Sequence, residues 1–161
     1  FGQALALRPD YGAALNNLGA LQSTRGHHVA AIESYRRALA VVPDNAETHY
    51  NLANALVAGN RLDDAVASFR AAIAINPAYA GAHNNLGIVL ARLGQTDAAI
   101  ACYRRALEIA PNRVDALSNL GNVLAGAQRL DEAIDCYRRA LAVDPLHANA
   151  LAQCAMAEGQ V

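Results

Sequence analysis

The chain contains no lysine: all 13 basic residues are arginine, set against 14 carboxylates for a formal net charge of −1. So even a balance excludes a global field toward nucleic acid or an anionic membrane surface. Arginine-only usage hints at a GC-rich, bacterial coding sequence. No apolar run approaches the ~18 residues of a membrane span, because charges interrupt every helical stretch. A secretory pattern is also missing at the start. Together these absences predict a cytoplasmic protein. There is no strand pattern, no glycine-rich phosphate loop after a strand, and no nucleophile–base arrangement, so no enzymatic role is expected. Residues 121–126 come nearest to such a loop in spelling, but they fall within an expected helix.

Cysteine is scarce, with three in the chain. Cys102 and Cys136 stand 34 residues apart, in a slot that holds Ser34 and Ser68 elsewhere. Neighbouring packed helices lie ~8–10 Å apart, beyond the roughly 7 Å between Cα atoms that a disulfide tolerates. Reduced, structural thiols are therefore expected, with Cys154 in a core slot. His49 and His83 are likewise 34 apart, in a slot where the other copies have Leu15 and Leu117, which makes them packing residues with a polar edge. A zinc site needs three or four converging ligands, and none are in register; neither metal nor cofactor is expected. His27, His28 and His147 fall in turns.

What is present is a period. Pro9, Pro43, Pro77, Pro111 and Pro145 follow one another at 34-residue intervals. In phase with them run Asn17-Leu18-Gly19, Asn51-Leu52-Ala53, Asn85-Leu86-Gly87 and Asn119-Leu120-Gly121. Alanines at 31, 65, 99 and 133 and aromatics at Tyr35, Phe69, Tyr103 and Tyr137 follow, then alanines at 38, 72, 106 and 140. Helices are predicted near 12–24, 29–42, 46–58, 63–76, 80–92, 97–110, 114–126, 131–144 and 148–157. Ala65, Val66, Phe69, Ala72 and Ile73 form an apolar stripe of helical period. Asp63, Asp97 and Asp131 complement the dipole in first turns. Gly26 and Gly94 mark turns between paired helices, and in the other two copies the turn glycine is expected to shift to Gly59 and Gly126. Proline is expected to end each second helix.

This pattern closely resembles the tetratricopeptide repeat (TPR) family over nearly the whole chain. The resemblance implies an all-α fold, a right-handed superhelical solenoid of antiparallel helix pairs, with four full 34-residue repeats and partial repeats at both ends. The expected parts are 1–11 from a preceding repeat, repeats at 12–45, 46–79, 80–113 and 114–147, and 148–161 as the first helix of a further repeat or cap. Phe1 falls in the aromatic slot, so the chain is expected to be a piece of a longer protein.

In the family, first helices line a concave groove. The residues implied to face it are Asn16, Asn17 and Ala20; Tyr50, Asn51 and Asn54; Asn84, Asn85 and Ile88; and Ser118, Asn119 and Asn122. Asn17, Asn51, Asn85 and Asn119 form a ladder of one amide per repeat, which Gln153 continues. A carboxamide donates and accepts, so it can pair with the backbone of an extended peptide; a structural role, bonding only to the protein itself, stays open. Repeats advance ~8–10 Å and a strand rises ~3.3 Å per residue, so each Asn would meet about every third ligand residue. The lysine clamp that some family members use for acidic chaperone C-termini is absent, and Glu47 and Asp115 stand at groove-edge sites where that clamp is basic.

The leading expectation is a scaffold that binds a protein or peptide in this groove. One alternative is the substrate-recognition arm of a larger O-GlcNAc transferase-like glycosyltransferase, whose spelling the stretches at 102–107 and 136–141 resemble. The other is self-assembly into a homo-oligomer through unpaired terminal helices, with Leu151 and Cys154 not covered by a following helix. The pairs Arg36-Arg37, Arg104-Arg105 and Arg138-Arg139 on second helices read as a solvated face, matched within the helix by Glu33, Glu108 and Asp135.

Overall fold

The computed structural model describes residues 9–159, all in helices and the turns between them. The expected helical tail at residues 1–8 lies outside the described residues. The helices are α1 (Pro9–Thr24), α2 (His28–Val41), α3 (Ala46–Ala58), α4 (Leu62–Ile75), α5 (Ala80–Arg92), α6 (Thr96–Ile109), α7 (Val114–Gly126), α8 (Leu130–Val143) and α9 (Ala148–Glu158). Pro9 does not precede α1 but opens it, a position where the missing N–H is no loss. The other prolines stand in the turns after α2, α4, α6 and α8. Each of those helices starts one residue before its expected position, because the residue ahead of it already lends its carbonyl to the first turn, as His27 does to the Ala31 N–H.

The chain divides into two compact units, Phe1–Ala78 and Tyr79–Val161. In the first, α1 packs on α2 and α3 on α4, with α2 joining the pairs and α1 touching α3. In the second, α5 packs on α6 and α7 on α8, α9 closes on α8, and α5, α7 and α9 touch in succession. Odd-numbered helices thus lie side by side within each unit. This is the TPR arrangement of helix pairs.

Small residues set how closely the pairs approach. Ala31, Ala65, Ala99 and Ala133 are completely buried, as are Ala72, Ala106 and Ala140. A Cβ on Gly19, Gly87 or Gly121 would come within 2.5–2.7 Å of a ring carbon of Tyr35, Tyr103 or Tyr137. The backbone at each glycine therefore rests on the ring of the paired helix. In the second pair Ala53 stands opposite Phe69, whose ring meets Tyr50 edge-on at 5.8 Å. Tyr137 is pinned by donating its hydroxyl to Asn122 Oδ1 at 2.9 Å, whereas Phe69 has no hydroxyl to hold it. The copy with an alanine methyl in the glycine slot is also the copy with phenylalanine in the aromatic slot. Burial pushes the Tyr137 phenol up to about 12 and raises Tyr103 as well, so both rings stay neutral.

The turns correct one expectation. The left-handed residue does not move to Gly59 or Gly126. It keeps its register, with φ of 77° at Gly26, 55° at Asn60, 74° at Gly94 and 60° at Gln128. Each turn is a Schellman motif: the Gln128 N–H donates to the Ala125 carbonyl and the Arg129 N–H to that of Leu124, with the same pair of bonds at the other three turns. The angle at which two helices must meet fixes this conformation, and the sequence supplies glycine in only two of four copies. Cys154 is buried on α9, which packs on α8, in keeping with its core slot, while Leu151 and Met156 of α9 are exposed.

Two substitutions test this account. Gly121→Ala should lower stability by about 1–3 kcal/mol through overpacking, and Tyr137→Phe in the same chain should recover part of that loss in a double-mutant cycle by urea unfolding. An unchanged midpoint for Gly121→Ala would mean that the ring is not confined. Gln128→Gly should raise stability by about 1 kcal/mol by relieving a left-handed side chain; a loss of stability would refute that.

Candidate functional site

The odd-numbered helices present their asparagines along one face of each unit. In the first unit Asn17 is exposed, and Asn16, Tyr50, Asn51 and Asn54 are half-buried. Asn51 Nδ2 donates to Asn16 Oδ1 at 3.4 Å, joining α3 to α1. Beside this pair opens a cleft of about 380 Å³. Its polar lining is Asn16, Asn17, Asn45, Glu47 and Thr48; Gly12, Ala13, Ala38 and Val42 supply the apolar part. Asn45 is the N-cap of α3, accepting the Thr48 N–H at 2.9 Å, which satisfies one orphan donor of the helix.

In the second unit the same bond recurs: Asn119 Nδ2 donates to Asn84 Oδ1 at 3.2 Å. Asn84 was expected to face a ligand, but it is 2% exposed. Its Nδ2 donates to Asn85 Oδ1 at 3.2 Å and to Asp115 Oδ2 at 3.4 Å. A buried amide with those partners positions its neighbours and does not line an open surface. Asn85 and Asn119 are half-buried and Asn122 is exposed. Asp115 in turn is gripped by the Arg113 guanidinium at 2.9 Å. Ser118, also buried, lies 3.4 Å from His147 Nδ1, which accepts the Ala150 N–H at 3.2 Å and so caps α9. His147 is thus more than a turn residue.

The bonds between first helices span 35 residues, one more than the period. The doublets Asn16-Asn17 and Asn84-Asn85, each followed one period later by a single Asn, carry that signal in the sequence. The ladder amides Asn51 and Asn119 each use one N–H on the preceding repeat. Among the described residues no partner takes their second N–H or their Oδ1, which leaves each with a donor and an acceptor.

Elsewhere the chemistry is structural. Among the described residues, no group of three or more His, Cys, Asp or Glu converges as an ion site, and no helix is long and apolar enough to cross a membrane. His49 Nε2 lies 2.9 Å from the Pro43 carbonyl, and His83 is buried. None of the three cysteines is in a disulfide. Burial, first among several causes, pushes the thiols of Cys136 and Cys154 up, which makes them poor nucleophiles. The arginine pairs divide their partners: Arg105 meets Glu108 at 2.7 Å within α6, but Arg104 reaches Glu132 on α8 at 3.0 Å, and Arg138 reaches Glu158 on α9 at 2.7 Å. These solvated pairs tie one repeat to the next, each adding up to ~1 kcal/mol.

Tetratricopeptide repeat models match residues 24–58 and 53–94 and then 78–145, most of the chain. The protein belongs to the tetratricopeptide repeat family. Among solved structures, it is similar to MamA, at 25% identity over 94% of this chain and 83% of that one, with a TM-score of 0.86. A second MamA structure shares 29% identity over 91% and 85% of the two chains, with a TM-score of 0.82. YrrB, described as a TPR protein with an unusual peptide-binding site, shares 26% identity over 91% and 75%, with a TM-score of 0.78. A comparison with curated protein sequences found no significant match. The TPR scaffold fold is consistent with protein–protein interaction.

The two classes of asparagine should separate in urea unfolding. Asn84→Ala leaves the Asn119 and Asp115 side chains short of a buried partner and should cost about 1–3 kcal/mol. Exposed Asn17→Ala should stay within about 0.5 kcal/mol of the parent. Equal effects would remove the distinction.

Proposed function

We propose that the protein is a non-catalytic scaffold that holds a partner polypeptide, in extended form, against the asparagine-bearing face of its first helices. The observation that carries this reading is the state of Asn51 and Asn119. One N–H of each amide is anchored to the preceding repeat, so its plane is set before any ligand arrives. The remaining donor and acceptor match the C=O and N–H that an extended backbone offers on one side. Side chains of the partner need not be read for this pairing, which suits a scaffold tolerant of sequence. Within the first unit the contacts are Asn17 and Asn51, and within the second Asn85 and Asn119, about three ligand residues apart at each step. Asn54 and Asn122 flank them, and Asn16, Tyr50 and Asn84 support them from behind. The peptide-binding site named for YrrB, a similar protein, supports the class of ligand.

The test is capture of polypeptides from a lysate by the parent chain beside a variant with Asn17, Asn51, Asn85 and Asn119 all changed to Ala. Thermal melts followed by circular dichroism accompany both. The parent should retain many unrelated polypeptides and the folded variant should lose them, since two backbone pairings within a unit at about 1 kcal/mol each amount to roughly thirty-fold in affinity. Equal capture by a folded variant would sink the reading.

A further inference from the structure

Glu47 and Asp115 hold the same slot in their repeats, yet their surroundings differ. Asp115 is closed off by Arg113, two residues earlier, and by the amide of Asn84. The residue equivalent to Arg113 in the first unit is Asn45, whose side chain is occupied in capping α3. Glu47 therefore has no internal arginine. It is exposed, and among the described residues no cation pairs with it. Its place in the first turn of α3 favours a negative charge. Glu47 also lines the cleft beside Asn16 and Asn17.

The cleft between α1 and α3 has the complementary shape for a long, amphipathic side chain. Ala13, Ala38 and Val42 give it an apolar wall. Gly12 keeps that wall close, since a Cβ there would come 3.0 Å from Val42 Cγ2. At about 380 Å³ it is within the range of small-ligand pockets. Lysine and arginine bury an aliphatic stem while keeping the charged head at a polar rim, and the rim here combines a carboxylate with the amide of exposed Asn17.

We infer that this cleft receives an arginine or lysine side chain of the bound polypeptide, with Glu47 as its counter-charge and Asn17 as a further acceptor. The inference rests on the proposed backbone binding along the same face. It makes the first unit the selective one: the backbone is held without regard to sequence, and a basic residue at one position sets the register.

The probes are blocked pentapeptides, acetyl-Gly-Gly-Arg-Gly-Gly-amide and its analogues with citrulline, a neutral isostere of arginine, or with glutamate at the centre. Each is titrated into isotopically labelled parent chain, Glu47→Gln, Glu47→Arg, Asp115→Asn and an Asn17→Ala, Asn51→Ala double variant, read by amide chemical shifts. The arginine peptide should bind the parent about five-fold tighter than the citrulline peptide, the scale of a solvated ion pair, with shifts centred on residues 12–17 and 45–48. Added salt should erode that preference. Glu47→Gln should abolish it, Glu47→Arg should turn it toward the glutamate peptide, and Asp115→Asn should leave it intact. Equal binding of the arginine and citrulline peptides to the parent, or a preference that survives Glu47→Gln, overturns the cation inference. Backbone binding fails separately, if the double variant holds the citrulline peptide as well as the parent does. No binding of any peptide to the parent refutes both.

Discussion

Contact between a bare stretch of backbone and an aromatic ring is the constraint from which the rest follows. Where Gly19, Gly87 and Gly121 rest on tyrosine rings, the two helices of a pair approach to a distance that a side chain would forbid. That spacing lets the buried alanines of the second helix seal against the next pair, and it brings successive first helices alongside one another. Only then do Asn51 and Asn16, or Asn119 and Asn84, come within hydrogen-bonding reach. The polar face is a product of the apolar packing behind it. The Ala53–Phe69 pair obeys the same rule with the atoms redistributed: a methyl is added on one side and a hydroxyl removed on the other.

Much of this was legible in the sequence because a repeat states each structural slot several times. The 34-residue prolines, the small residues and the aromatics located the helices to within a residue or so, apart from the start of α1. What misled was letter identity taken as geometry. Gly59 and Gly126 look like turn glycines, but the left-handed conformation belongs to Asn60 and Gln128, because the crossing of two helices dictates backbone shape and residue type only adjusts its energy. The asparagines show the same gap from the other side. Asn16 and Asn84 occupy one slot and carry one side chain, yet one borders an open cleft and the other is buried under Asp115 and Asn119. Periodicity assigns a residue to a face; neighbours 31 and 35 positions away decide whether that face is open.

Repetition also permits division of labour. A slot needed in every copy for packing, such as the alanines at 31, 65, 99 and 133, is held fixed. A slot on the polar face is not so constrained and has diverged. In the second unit the residues at 113 and 115 neutralise each other; in the first, those at 45 and 47 perform separate tasks, one terminating a helix and the other leaving a charge at the mouth of a cleft. Two units with the same fold thereby present different chemistry without any change in the scaffold beneath.

The fixed register of the turns bears on how the chain folds. Contacts in such an array run mainly between neighbouring elements, so the energy of a turn is charged to its own hairpin and shared with few others. Each unit contains one hairpin closed by glycine, at Gly26 or Gly94, and one closed by a residue with a side chain, at Asn60 or Gln128, for which the left-handed region costs more than for glycine. Closing the first kind asks little of the backbone; closing the second is uphill until the neighbouring pair is there to pack against. Alternation of easy and reluctant turns gives each unit a preferred starting point, and a direction in which order spreads from it.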